Sequence, residues 1–206
     1  MDKEEIKRRM QTGELYHCND VELIKEQIAC LDKLFEYNQL KPSQQEEKQK
    51  LLKEMFAEIG EGCYIETPFH ANWAGRYVHF GNHVFANFNL TMVDDCRIDV
   101  GDHVLFAPNV TLATATHPIH PELRSEQGQY NLPIKIGRNV WIGANSTVLP
   151  GVTIGENSVI GAGSVVTKDI PANVVAVGNP CRVMRPITDN DRKFYLKDHP
   201  IQYPLE

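Results

Sequence analysis

A histidine in an irregular stretch is the first group in this sequence that could do chemistry. His117 lies in the segment ATATHPIHPELRSEQGQYNLP, residues 113–133, where the regular hydrophobic pattern on either side lapses. A loop of about twenty residues is long for a compact domain, and such loops are usually functional or disordered. Imidazole titrates near neutral pH, and Pro118 restricts the backbone that carries it. His117 is therefore a residue of the type that can act as a general base.

Basic residues gather near the C-terminal end of an otherwise acidic chain. The net charge is −6, so no global positive field exists to hold nucleic acid or acidic lipid. Lys168 in VVTKD is nevertheless followed by Arg182 and Arg185 in NPCRVMR. Arginine and lysine are the usual counterions of phosphate groups. The pattern predicts one local site for a phosphate-bearing small molecule, and no nucleic-acid partner.

The cysteines do not indicate a disulfide framework or a thiol nucleophile. They are odd in number, widely scattered and without CxxC spacing, which favours reduced thiols over a disulfide framework or a structural zinc site. Cys96 lies between Asp95 and Arg97, but it belongs to no recognisable nucleophile motif. The five are Cys18, Cys30, Cys63, Cys96 and Cys181.

A period of six defines the elements that must position these groups. Every sixth residue from Ile136 onward is aliphatic, and glycine follows four of these residues. This period fits neither a helix nor a simple alternating strand, and hexapeptide repeats are typical of a parallel β-helix. Three hexads would close one triangular coil with the aliphatic residue pointing inward. The frame positions are Ile136, Ile142, Val148, Ile154, Ile160, Val166 and Ala172.

The spacing of apolar residues near the N-terminus predicts helices instead. One helix, capped by Asp20, carries an apolar stripe that we expect to pack against the rest of the protein. A second helix is expected to open at Pro42 and Ser43 and to close at Gly60, and a short earlier helix to end at Gly13. The stripe consists of Val21, Ile24, Ile28, Leu31 and Phe35.

Length and composition predict one domain with a small appendage. The chain has 206 residues, of which 42% are hydrophobic and 23% charged. We expect a helical segment at 1–59, a solenoid at 60–185 and a tail at 186–206. The longest apolar stretches fall far short of the ~20 residues that cross a bilayer. The charged N-terminus lacks the apolar core of a signal peptide, so we expect a cytoplasmic protein without a membrane partner.

Several motifs together resemble one enzyme family. The repeats IGRNVW, IGANST, VLPGVT, IGENSV, IGAGSV and VTKDIP are similar to those of the hexapeptide-repeat acyltransferases. ANFNLTMVDD, LFAPNVTLATATHP and IGAGSVVTKDIPANVVAVGNPCRV resemble the galactoside and maltose O-acetyltransferases more narrowly. The resemblance implies a mainly β fold, a left-handed parallel β-helix with an extruded loop. It also implies acetyl-CoA as co-substrate, no metal requirement and a homotrimer with active sites between subunits.

The resemblance assigns roles on the acceptor side. It implies that His117 removes the proton of a sugar hydroxyl as that hydroxyl attacks the thioester directly, without an acyl-enzyme. Asn87 and Asp95 occupy the family's acceptor-binding positions, and Asn87 also has a role in orienting the reacting hydroxyl or stabilising the transition state. Trp73 could stack on a sugar ring or an aromatic acceptor.

The resemblance also assigns residues to the CoA side. The backbone amide of Ala144 would stabilise the oxyanion, and the indole of Trp141 would line the channel for the pantetheine arm. Basic side chains would bind the phosphates of CoA. The cofactor-binding candidates are Trp141, Ala144, Ala162, Thr167, Lys168, Arg182 and Arg185.

Three other hypotheses remain open at this stage. Cys18 and Trp73 replace residue types expected for galactoside binding, which leaves a non-sugar or xenobiotic hydroxyl acceptor possible. Two histidine pairs, His79 with His83 and His117 with His120, keep open a second hypothesis, a metalloenzyme similar to γ-carbonic anhydrase on the same fold. The spacing of these histidines does not, however, reproduce the ligand pattern of that family. A non-catalytic solenoid acting as a scaffold is the third.

Overall fold

The computed structural model describes residues 2–202. Its helices are α1 (Lys3–Thr12), α2 (Val21–Gln39), α3 (Gln45–Met55), α4 (Pro121–Ser125) and α5 (Asp189–Lys193). Its strands are β1 (Tyr16–His17), β2 (Glu58–Ile59), β3 (Tyr64–Ile65), β4 (His70–Ala71), β5 (Val78–Phe80), β6 (Phe85–Ala86), β7 (Thr91–Val93), β8 (Ile98–Val100), β9 (Leu105–Phe106), β10 (Thr111–Ala113), β11 (Ala115–Thr116), β12 (Gly128–Asn131), β13 (Ile134–Ile136), β14 (Trp141–Ile142), β15 (Thr147–Val148), β16 (Thr153–Ile154), β17 (Val159–Ile160), β18 (Val165–Val166), β19 (Val174–Val177), β20 (Arg182–Pro186), β21 (Phe194–Leu196) and β22 (His199–Pro200). Within residues 2–202, no helix combines the length and apolar content needed to cross a membrane.

Short parallel strands stack into three walls. Wall 1 contains β2, β5, β8, β13 and β16; wall 2 contains β3, β6, β9, β14, β17 and β19; wall 3 contains β4, β7, β10, β15 and β18. The chain visits the walls in this order in every coil, passing a first corner after wall 1, a second after wall 2 and a third after wall 3. The mainly β solenoid predicted from the period of six is confirmed.

The aliphatic frame residues fill the interior of the solenoid, as predicted. Each lies directly above its counterpart one coil away: Ile136 pairs with Ile154, Ile142 with Ile160 and Val148 with Val166. All six are buried. Because the stack removes continuous apolar surface from water, it stabilises the fold.

The last frame position was predicted wrongly. Ile170, rather than Ala172, forms the bridge to Ile154 and is buried in the core. The final coil reaches wall 1 two residues early, so Ala172 falls into the following corner. The strict period of six therefore ends one position before the sequence pattern suggests.

Helix α2 is confirmed, but the face predicted to be buried is wrong. Asp20 caps the helix by accepting from the backbone N–H of Leu23 at 2.8 Å. The predicted apolar stripe is exposed, with 66% of Phe35 accessible to solvent. The opposite face docks: Leu23, Leu34 and Tyr37 are buried. Tyr37 also donates its hydroxyl proton to the Ile65 carbonyl at 2.6 Å, and Asn38 pairs with the Phe69 backbone. The 3,4 spacing identified one apolar stripe of the helix, but the face that packs carries a second apolar set together with polar groups that bond the first coil.

The other helix predictions hold in part. Helix α1 ends at Gly13, whose φ of 78° is the left-handed conformation expected of a glycine cap. Helix α3 stops at Met55, short of the predicted end at Gly60. Ile59 instead lies in β2 and pairs with Phe80, because the solenoid captures the chain as soon as the helix ends.

The segment at 113–133 forms a structured flap. It contains β11, α4 and β12, and β12 is the central strand of an antiparallel sheet in the order β1–β12–β11. Strand β1 belongs to the N-terminal segment, so the flap is held to the solenoid on one side and to the N-terminal segment on the other.

Candidate functional site

The third corner collects the candidate acceptor and base residues in successive coils. Trp73 follows β4, Asp95 follows β7, and His117 follows β10 and the short strand β11. Parallel stacking places consecutive corners one strand spacing apart, about 4.8 Å. Three residues that are distant in sequence therefore become neighbours along one edge of the solenoid.

The flap fixes the direction of the His117 imidazole. Nδ1 of His117 lies 2.8 Å from the carbonyl oxygen of Gly128, the first residue of β12. A carbonyl oxygen only accepts, so Nδ1 carries the proton and Nε2 of the neutral ring keeps its lone pair. The His117 side chain is exposed in the single chain. This tautomer is the one that a general base acting through Nε2 requires.

Asp95 is a buried carboxylate with donors on both oxygens. Only 7% of the residue is exposed. Its Oδ2 accepts from Asn72 at 2.8 Å, and its Oδ1 accepts from Gln129 at 3.3 Å and from the Trp73 indole at 3.4 Å. Burial raises the pKa of Asp95, while these three donors and the nearby His117 oppose that rise. The group is a fixed acceptor beside the candidate base.

The preceding residue, Asp94, has a different environment and task. It is fully buried and accepts from the backbone N–H groups of Trp73 at 2.7 Å and Gly75 at 2.8 Å. Burial raises the pKa of Asp94 to about 7, although the two backbone donors act in the opposite direction. Asp94 therefore holds the turn that carries Trp73, and it is closed to solvent.

Trp73 is not positioned for the predicted stacking on an acceptor. Only 2% of the residue is exposed, and the ring packs with Ile6, Met10, Tyr16 and Leu23 in a satellite core. Both the backbone N–H and the indole N–H are used, by Asp94 and Asp95 respectively. The contribution of Trp73 to this site passes through those two carboxylates.

The second corner holds a different group of predicted residues. Ala144 and Ala162 occupy equivalent positions two residues after β14 and β17, and Asn87 directly follows β6 at the same corner, one position earlier in the repeat. Ala144 and the residue after Ala162 are stacked directly, since the Gly163 N–H donates to the Ala144 carbonyl at 2.8 Å. The Asn87 side chain accepts from the Phe88 N–H. Wall 3 separates this corner from His117, so one chain does not bring Asn87 and Ala144 next to the base.

Trp141 projects from wall 2, adjacent to the second corner. It pairs with Leu105 below and Val159 above, and half of the residue is exposed. Leu105 in turn pairs with Phe85, and these side chains form an outward apolar column. The position is compatible with a channel wall or with contact to another protein surface.

The predicted phosphate-binding side chains Lys168, Arg182 and Arg185 are exposed, and they belong to different elements. Thr167 and Lys168 lie at the third corner, two coils beyond His117, and Arg182 lies on β20 at the edge of wall 2. Arg185 forms a two-point ion pair with Asp191 at 2.7 and 2.8 Å. Arg185 is thus neutralised within the chain, whereas Arg182 directs one N–H to the carbonyl of Cys181.

The alternative chemistries find no matching arrangement. His79 lies beside Glu58, and His83 stacks on His103 at 5.1 Å. Within residues 2–202, no three His, Cys, Asp or Glu side chains are grouped as a metal site. Burial raises the pKa of Cys96 to about 11, which opposes formation of the thiolate that a nucleophile needs.

Comparisons with known proteins agree with this geometry. Residues 9–60 match the maltose acetyltransferase hexapeptide capping motif, and residues 133–168 match the bacterial transferase hexapeptide of six repeats. A galactoside O-acetyltransferase of Lactococcus lactis is 57% identical, over 97% of this chain and 95% of that protein. The chain belongs to the galactoside and maltose O-acetyltransferase family.

Two solved structures of this O-acetyltransferase family are similar over nearly the whole fold. A galactoside acetyltransferase in complex with coenzyme A superposes with a TM-score of 0.93 at 47% identity, over 96% of this chain and 98% of that one. A maltose O-acetyltransferase from Clostridium difficile gives 0.87 at 43% identity, over 89% and 97%. The family predicted from the sequence is confirmed.

Several residues of the site were not anticipated. The Gly128 carbonyl orients the His117 imidazole, Asn72 and Gln129 donate to Asp95, and the Tyr16 hydroxyl accepts from Gln129 and from Asn131. The alternation of Gln129 and Asn131 within QYN is a weak strand signal that could have placed both on one face. The participation of Tyr16 could not be read locally, because its partners lie more than a hundred positions away.

Proposed function

We propose that this protein transfers an acetyl group from acetyl-CoA to a hydroxyl of a galactoside-like or maltose-like sugar, with His117 as general base. Family membership makes the chain an acetyl-CoA-dependent O-acetyltransferase. The observation that carries the assignment of the base is the Gly128 carbonyl on Nδ1 of His117, because it leaves Nε2 as the proton acceptor. Asp95, buried beside the ring, is suited to receive a hydrogen bond from the same acceptor molecule.

The proposed reaction has two steps, attack of the acceptor hydroxyl on the thioester and breakdown of the tetrahedral intermediate. The acceptor O–H proton moves to Nε2 of His117 while the oxygen bonds to the thioester carbonyl carbon. The tetrahedral intermediate loses its carbon–sulfur bond, and the proton passes from His117 to the departing thiolate. The products are the O-acetyl sugar and the CoA thiol. The backbone N–H of Ala144 is our candidate for oxyanion stabilisation, since solenoid amides are rigidly held.

The binding roles follow from charge and position. We assign CoA contacts to the surfaces around Trp141, Ala144 and Ala162, and to Thr167 and Lys168 at the third corner. Arg182 is the stronger candidate for a phosphate contact than Arg185, whose guanidinium is already bonded to Asp191. Asn87 and Asp95 remain the acceptor-side candidates.

The split between two corners supports a homotrimer with intersubunit sites. The base lies at the third corner of one chain, whereas Asn87 and Ala144 lie at the second corner, across the width of wall 3. A second copy would place its second corner beside the first copy's His117. The apolar column of Phe85, Leu105 and Trp141 offers a surface for such contact. The mass of the particle in solution, measured by light scattering, tests this assembly.

Replacement of the base tests the mechanism. We expect His117→Ala to lower turnover by about 10²–10⁴-fold, the usual loss for a missing acid–base group. Thiol released from acetyl-CoA is measured with a galactoside, with maltose and with a non-sugar alcohol. Binding of CoA, followed as a rise in the melting temperature, should persist.

A matched control is available three residues away. His120 is exposed on the same flap, at the start of α4. The His120→Ala variant should keep nearly full turnover. Equal loss in both variants, or near-normal turnover in His117→Ala, would remove His117 from the mechanism.

A further inference from the structure

A buried polar cluster lies behind the Asp95 carboxylate. Tyr16, Gln129 and Asn131 are all buried, and they come from two distant parts of the chain. Tyr16 lies on β1 and pairs with Gln129 on β12, where Gln129 and Asn131 alternate onto one face. The cluster thus joins the N-terminal segment, the flap and the third corner.

The tyrosine hydroxyl is the centre of this cluster. Its oxygen accepts from the Gln129 amide at 2.6 Å and from the Asn131 amide at 3.0 Å, and its proton faces Asn131 Oδ1 at 3.2 Å. Burial is the main cause that raises the pKa of Tyr16, so the hydroxyl keeps its proton near neutral pH. It therefore donates and accepts at once.

Both amides reach Asp95 from this centre. Gln129 Nε2 lies 3.3 Å from Asp95 Oδ1, and Asn131 Nδ2 lies 3.3 Å from the Asp95 backbone carbonyl. Asn131 also donates to the Met10 carbonyl at 3.1 Å, at the end of α1. A buried amide is held in one orientation when its partners are fixed, because an unmade hydrogen bond in a buried site is costly.

We propose that Tyr16, Gln129 and Asn131 are positioning residues that fix the direction of the Asp95 carboxylate and so determine which sugar hydroxyl pattern the site accepts. With Asn72 on Oδ2, and Gln129 and Trp73 on Oδ1, the carboxylate has one orientation relative to His117. An acceptor must then present its reacting hydroxyl to His117 and a neighbouring hydroxyl to Asp95. The inference rests on the proposed sugar O-acetyl transfer and names what sets its acceptor preference.

Two conservative variants test the proposal. Tyr16→Phe removes one oxygen, and Gln129→Met removes the amide while keeping the length of the side chain. Each should lower kcat/KM for the sugar by about 10-fold, mainly through its KM, since one hydrogen bond to a charged group is disturbed. KM for acetyl-CoA should not change. The double variant should lose little more than either single one, because both act on the same network.

Tyr37→Phe is the matched control for loss of a buried hydroxyl. Tyr37 is as deeply buried as Tyr16, and its hydroxyl donates to a backbone carbonyl, that of Ile65. We expect a lower melting temperature in both tyrosine variants but a raised sugar KM in Tyr16→Phe alone. If Tyr16→Phe behaves as Tyr37→Phe does in both measurements, the network is only structural and the proposal is overturned.

An NMR titration of the Asp95 carboxyl separates this proposal from the proposed function. The Gln129 hydrogen bond lowers the pKa of Asp95, so Gln129→Met should raise it further. The titratable neighbours Asp94, Cys96, Tyr16 and His117 are unchanged in that variant. If the wild-type protein does not acetylate sugars, the proposed function is refuted, but the titration still tests whether Gln129 bonds the Asp95 carboxylate. An unchanged Asp95 titration in Gln129→Met would overturn the network whatever the activity.

Discussion

Gly128 offers the sharpest test of how the base is held, through the substitution Gly128→Ala. A Cβ atom at this position would lie 2.8 Å from the backbone oxygen of Leu123. Ordinary contacts begin near 3.4 Å, so β12 would have to retreat by about 0.6 Å. The side chains of Leu15 and Pro118, at 3.4 and 3.6 Å, leave little freedom on the other sides. The strand that carries the His117 acceptor must therefore move.

The consequence for catalysis follows from that displacement. The hydrogen bond from His117 Nδ1 to the Gly128 carbonyl is 2.8 Å long, and a comparable shift of its acceptor lets the imidazole rotate. A misplacement of about 1 Å costs on the order of 10²-fold in rate, so we expect kcat to fall by about 10-fold or more. KM for acetyl-CoA should be unaffected, because the predicted CoA surface lies elsewhere.

The effect on kcat is measured as steady-state thiol release with a saturating sugar. The variant Gln127→Gly is the control in the same assay. Gln127 precedes Gly128 and has a φ of 60°, which glycine adopts without strain. That neighbour should retain wild-type kcat, since it adds no atom near Leu123. If Gly128→Ala also turns over normally with an unchanged melting temperature, the carbonyl contact does not orient the base.

Two further predictions concern the cofactor and the buried carboxylate. Arg182→Ala should raise KM for acetyl-CoA and leave KM for the sugar unchanged, as measured by thiol release; an effect confined to the sugar would contradict the phosphate assignment. Burial raises the pKa of Asp94 from 3.8 to about 7. At a pH between these two values, Asp94 is protonated in the native state and ionised in the unfolded chain. Stability from this group should therefore fall as pH rises from about 4 to about 7. Denaturant unfolding of wild type and Asp94→Asn should show a free-energy difference that changes over this interval, and a constant difference would refute the assignment.

The docking of the helices shows where sequence reasoning failed. The 3,4 spacing predicted α2 and its cap correctly, because backbone geometry and local hydrogen bonds decide both. It did not reveal that Tyr37 and Asn38 would bond the first coil and turn Phe35 outward. The helix has apolar residues on two faces, and the packed face combines buried Leu34 and Tyr37 with hydrogen-bond partners about thirty residues away.

The candidate site residues likewise fall into those that the sequence identified and those that depended on tertiary contacts. His117 was identifiable because it lies at the base of an irregular stretch that interrupts a strict repeat, within the motif TATHP that resembles the family's. Trp73 was assigned a contact with the acceptor, yet the N-terminal segment covers it. Nothing local indicated that Tyr16 and Gln129 would meet, since their pairing depends on the flap folding back onto β1.

The sequence by itself determined the repeating interior, since a residue's position in a six-residue period decides whether it faces the core or a corner. It also determined the chemical type of the base, which depends on the residue and not on its neighbours. Only the tertiary structure decided which tautomer that base has, which carboxylate is oriented and which lies buried behind it. These properties depend on hydrogen bonds between segments brought together by coiling, and such contacts leave no periodic trace in the chain.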